Sequence, residues 1–100
     1  MQKKTLVNFY KKHANAKASL EAWYGEIIEQ RWEKPEDIIK LYPTADLITG
    51  KRFVFNIKVN HYRLIVDIEF KLKIIFVVWV GTHAEYDKIK VEDVNYVKNN

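Results

Sequence analysis

RFVFNIKVNHYRLIVDIEF, Arg52 to Phe70, decides the fold. Bulky and β-branched residues alternate with polar ones on both sides of Val59-Asn60-His61. A period of two marks a strand, and two such runs across a short polar turn mark an antiparallel hairpin. Along the second run Tyr62, Leu64, Val66, Ile68 and Phe70 share one face, and Arg63, Ile65, Asp67 and Glu69 share the other. The first face is apolar enough to receive helices; the second is mixed. Downstream, KIIFVVWV follows a turn over residues 70–73 and is a third strand. It is apolar on both faces, which predicts a central place in the sheet or a second covering element.

Upstream of the hairpin the period becomes helical. In TLVNFYKKH, Leu6, Phe9, Tyr10 and His13 fall on one side, with Thr5 placed to cap. In ANAKASLEAWYGEIIEQRW a stripe of Leu20, Trp23, Tyr24, Ile27 and Ile28 predicts a second amphipathic helix, with Asn15 as the break before it. Gly25 inside that helix predicts a close approach by another element. KPEDIIKLYP reads as a short helix started by Pro35 and stopped by Pro43. TADLITGK reads as a connector. At the far end VEDVNYVKNN is expected to pack through Val91, Val94 and Val97, with Lys98 to Asn100 frayed. Helices followed by antiparallel strands predict an α+β fold, N-terminal helices on one face of a small sheet. The 100 residues suit a single domain, residues 1–100.

The net charge of +4 favours an acidic partner, although a mildly basic protein needs none. The chain has no cysteine, which excludes disulfides and thiolate metal sites. The start lacks the apolar region of a secretion signal, and the longest apolar run, Ile74 to Val80, is too short to cross a bilayer. Cytoplasmic residence and no membrane partner are the default expectations. There is no phosphate-binding glycine loop, no HExxH and no CxxC, and His13, His61 and His83 have no ligand spacing. No metal and no cofactor are expected.

What remains suits phosphoryl chemistry. RNA cleavage by its own 2'-hydroxyl needs a group that takes or orients a proton, a cation on the phosphate and a donor for the leaving 5'-oxygen. His83, just past the third strand, is a candidate proton carrier because imidazole titrates near neutrality. It could equally tether the last loop. Arg63 could hold a phosphate with its fork, or pair with Asp67 or Glu69. Tyr86 could stack on a base or donate its hydroxyl, or simply cover the sheet edge. Asp87 and Glu85 would repel phosphate and better serve to orient His83, Arg63 or a lysine. Lys88 and Lys90 add charge, and Lys51, Arg52 and Lys58 flank the first strand and would widen a basic patch. His61 sits in the hairpin turn, open to substrate or to water.

FVFNIKVNHYRLIVDIEF followed by FVVWVGTHAEYDKI resembles the HigB-type toxins of bacterial type II toxin–antitoxin pairs, within the RelE-like messenger-RNA endonucleases. The resemblance extends to LVNFYKKHANAKASLEAW and LYPTAD, nearly the whole chain. It implies helices on an antiparallel sheet, metal-free cleavage of messenger RNA on translating ribosomes, and growth arrest. It also implies a helix-turn-helix antitoxin of the HigA type as partner. By the resemblance Arg63, His83, Tyr86, Asp87, Lys88 and Asn60 stand in matching positions, and from the charged face and this terminal cluster Arg63, His83 and Tyr86 are expected to be catalytic. The sequence departs from the family at Val59, where glycine is common, and at His61, where a lysine or arginine is common. A β-branched residue resists positive φ, so Val59 predicts another turn type. A non-catalytic RNA- or ribosome-binding module is the alternative reading.

Overall fold

The computed structural model describes residues 3–95. Helix α1 (Lys4–Lys12) leads through a 3-10 turn (Ala14–Ala16) into α2 (Lys17–Glu29), and α3 (Pro35–Leu41) follows. Strands β1 (Asp46–Leu47), β2 (Arg52–Ile57), β3 (Tyr62–Glu69) and β4 (Ile74–Thr82) form one antiparallel sheet in the order β1-β2-β3-β4, and α4 (His83–Tyr86) closes the run.

The helices cover the face that period-two counting made apolar. Leu6, Leu20, Trp23, Ile27 and Ile38 pack on Phe53, Phe55, Tyr62, Leu64, Val66 and Ile68. Trp32 leaves the helical stripe and is buried by another route, its indole N–H donating to the Ile27 carbonyl at 3.1 Å. Pro35 begins α3, and the Asp37 carboxylate accepts from the backbone N–H of Glu33 and Lys34 at 2.8 and 3.2 Å. Asn15, the expected break, lies in the 3-10 turn and accepts from the Tyr62 hydroxyl, fixing the helix junction to β3.

Several expectations are corrected. Thr5 lies inside α1, so it is no cap. Ile28 is 54% exposed, because the buried stripe of α2 follows Leu20, Trp23 and Ile27. A Cβ on Gly25 would meet open space, so no element approaches it. The stretch read as a connector contains β1, whose two residues pair with Phe53 and Val54. Val59 does adopt the left-handed region, at φ 60°, beside Lys58 at 52°. The hairpin takes the conformation glycine would favour without having the glycine.

The mixed face is also covered, although β4 lies at the sheet edge rather than the centre. Val54, Ile65 and Val78 form a second cluster, packed by Ile48, Trp79, Tyr86, Ile89, Val91 and Val94. A register shift between Ile65 and Val66, opposite Val77 to Trp79, makes this possible. Ile65 pairs with Trp79 and Val66 with Val77, leaving Val78 as the extra residue of a bulge. Simple alternation would send Trp79 to the helix side with Ile75 and Val77. The bulge turns it to the other face. Val91 and Val94 pack as expected; Val97 and residues 98–100 lie outside the described residues.

Candidate functional site

Arg63 lies on the second face of β3, in a row with Asn56 of β2 and Gly81 of β4. Its Nη1 donates to the carbonyls of Asn60 and Tyr62 at 3.2 and 3.4 Å. These long bonds hold the side chain over the turn. The guanidinium carbon stands 5.8 Å from the centre of the Tyr86 ring, within cation–π range. Tyr86 in turn leans on Trp79, ring centres 6.3 Å apart. Burial first, and then Asp46, push the Tyr86 hydroxyl above its ordinary value, while Arg63 opposes them. The phenol therefore keeps its proton at neutrality, and its O–H is available to donate.

The sequence of α4 explains how Tyr86 arrives there. Thr82 and Glu85 form a capping box: the Thr82 hydroxyl accepts from the Glu85 N–H at 3.1 Å, and the Glu85 carboxylate accepts from the Thr82 N–H at 2.8 Å. The second bond is the first cause of a depressed Glu85 carboxyl pKa. Glu85 thus organises backbone, not His83 or Arg63. Gly81, the last residue before the box, is required by space. A Cβ there would lie 2.4 Å from the Trp79 ring and 3.0 Å from a Glu85 carboxylate oxygen.

His83 opens α4. Its backbone N–H donates to the His61 carbonyl at 3.0 Å, which ties α4 to the hairpin turn. Its ring Nε2 lies 3.5 Å from Asp87 Oδ2, and both side chains are about half exposed or more. Asp87 therefore partners His83, one helical turn away. Asn60, His61, Arg63, His83, Tyr86 and Asp87 are joined in this way at one corner of the sheet. Lys58 is in the same turn, and Lys88 follows Asp87 directly, its N–H bonded to the Glu85 carbonyl. Lys88 and Lys90 are exposed.

Arg52 and Lys51 do not join them. Arg52 is 8% exposed and grips Asp67 with two bonds, Nε to Oδ1 at 2.7 Å and Nη2 to Oδ2 at 2.8 Å. It is therefore no part of an RNA-facing patch. It also takes Asp67 from Arg63, correcting the pairing expected along β3: residues paired across strands come closer than second neighbours on one strand. Lys51 stands beside Arg52, five strand residues from the row of Arg63, or roughly 16 Å. It cannot share a phosphate with Arg63.

Sequence reasoning missed Asn56, Asp46 and Trp79, which face this corner or act on it. It also missed the basic end of the chain. Residues 1–20 contain Lys3, Lys4, Lys11, Lys12 and Lys17 and no acidic residue, and all five are exposed. The capping box was legible as T-x-x-E. Among the described residues no group of three or more His, Asp or Glu side chains could hold a metal ion, and no helix is long and apolar enough to cross a membrane.

N-terminal helices on a four-stranded antiparallel sheet, with a cation, a phenol and an imidazole at one corner, define a RelE-like α+β protein. Residues 16–89 match the HigB toxin family, described as the RelE-like toxic component of a toxin–antitoxin system. The chain belongs to that family. It is 32% identical to the mRNA interferase HigB of Escherichia coli O6:H1 over 81 residues, which cover 79% of each protein. It is 29% identical to the mRNA interferase toxin HigB of E. coli K12 over 86 residues, 84% of this chain and 83% of the relative, and to its Shigella flexneri counterpart by the same measures.

Proposed function

We propose that the chain is an endoribonuclease that cuts messenger RNA without a metal ion and so arrests translation and growth. The observation that carries this is the placement of Arg63 over the Tyr86 ring, next to the helix that presents His83 and Asp87. The relatives named as mRNA interferases support it. In this reading the scissile phosphate sits on the open fork of Arg63, whose charge grows in value as the phosphorane forms. The 2'-hydroxyl attacks phosphorus, the bond to the 5'-oxygen breaks, and a 2',3'-cyclic phosphate and a 5'-hydroxyl result. His83, oriented by Asp87, carries a proton to or from the reacting oxygens. Tyr86 keeps its proton and donates to a phosphate oxygen, or presents its ring to a base. Lys88 and Lys58 add charge at the rim, and Asn60 shapes the turn.

The messenger meets only the corner, not the whole face, because Ile89, Val91 and Val94 cover the middle of the sheet. So small a site orients little RNA by itself, which favours a substrate presented by the ribosome. The lysines of residues 1–20 suit contact with such a polyanion. A helix-turn-helix antitoxin is the expected inhibitor.

Mapping transcript ends after induction tests the reading. Cyclic phosphate or 3'-phosphate ends that vanish with Arg63→Ala and His83→Ala are expected. Ends bearing a 3'-hydroxyl overturn the mechanism, and growth arrest with intact transcripts makes the chain a binding module.

A further inference from the structure

The segment that follows α4 is short of anchors. Its backbone bonds are local: Lys88 N–H to Glu85, Ile89 N–H to Tyr86, Asp93 N–H to Lys90. Among the described residues the hydrogen bonds that join it to the sheet both come from one atom. Arg52 Nη1 donates to the Val91 carbonyl at 2.9 Å and to the Val94 carbonyl. The other two corners of the same guanidinium hold the Asp67 carboxylate.

We propose that Arg52 and Asp67 are positioning residues for the corner site: they tether residues 87–94 across the sheet and so keep Tyr86 under Arg63. The inference rests on the proposed reading of that corner as catalytic. Tyr86 packs in the same cluster as Ile89, Val91 and Val94, over Val54 and Ile65. A tail that lifts removes those neighbours and frees the ring that Arg63 covers. Only arginine can perform this task. Its planar fork satisfies a carboxylate with one edge and still offers an N–H pair to two carbonyls, whereas lysine has a single nitrogen. An apolar pair of similar volume would fill the space at little net cost to folding, and would offer the carbonyls nothing. The tether and the fold are therefore separable.

The test uses the double variant Arg52→Met/Asp67→Leu beside Arg52→Lys. Hydrogen exchange is followed in residues 87–94 and in β3, and cleavage of a ribosome-bound transcript is measured for kcat and KM. In the double variant β3 stays protected, exchange in 87–94 rises about tenfold or more, and kcat falls by a similar factor with KM little changed. Should the double variant not fold, Arg52→Lys carries the same measurement, since it keeps the cation and loses the fork. Unchanged protection of 87–94 overturns the tether; a released tail with wild-type kcat overturns its positioning role. If the wild-type chain cuts no RNA, the proposed function fails, and the exchange data still decide whether the tether exists.

Discussion

Arg52 and Arg63 lie on one face of one sheet, four rows apart, and could hardly be used more differently. Arg52 pairs in register with Asp67 and has every edge of its guanidinium occupied. Arg63 pairs in register with Asn56, touches two carbonyls at long range, and rests on an aromatic ring. The difference is the residue opposite. A carboxylate across the ladder fills the fork, and burial then makes the pair structural. An amide leaves the fork for an anion from outside. Having a basic side chain on the right face is therefore a weak sign of function, and an unfilled fork is a stronger one.

The comparison can be broken by mutation. Arg52→Ala strands a buried carboxylate and should cost about 3–5 kcal/mol of stability in urea unfolding. Arg63→Ala should leave stability within about 0.5 kcal/mol and lower RNA cleavage about a hundred- to a thousand-fold. Equal stability losses in the two variants would erase the contrast. Gly81→Ala must push the Trp79 ring or Glu85 aside, so a loss of about 1–3 kcal/mol is expected, with a change in tryptophan fluorescence. Val59, 90% exposed at positive φ, is strained without packing in return; Val59→Gly should raise stability by about 1 kcal/mol and the melting temperature by about 5 °C.

The smallest effect concerns pH. The folded state depresses the Glu85 pKa, so the capping box contributes fully above the ordinary carboxylate range. It is lost as pH falls through the lower folded value. Amide shifts of Thr82 and Glu85 should follow that titration, and Glu85→Gln should flatten it while keeping the box.

The hairpin and the helical stripes were legible because burial imposes a period on the residues that cause it. Leu64, Val66 and Ile68 could only face the helices. β1 was not legible, because two residues cannot show a period. The bulge was hidden too: Val77-Val78-Trp79 is apolar throughout, and nothing in it marks the residue that breaks alternation. At the site, Arg63, His83, Tyr86 and Asp87 were singled out, and they do gather at one corner. Arg52 was misread because it was judged by type alone. Counting outward from the Lys58–His61 turn would have set Asp67 opposite it.

The extra residue at Val78 has a consequence of its own. Everything after it in β4 is turned over relative to everything before. Drawing Val78 into the ladder as an ordinary paired residue opposite Ile65 would restore strict alternation, swing Trp79 in among the helices and bring Val80 out where Arg63 stands. The turn carrying Tyr86 would then leave the strand half a pleat out of phase. The same residues in an unbulged strand would still pair as a sheet, but its arginine and phenol would no longer meet on one side of it.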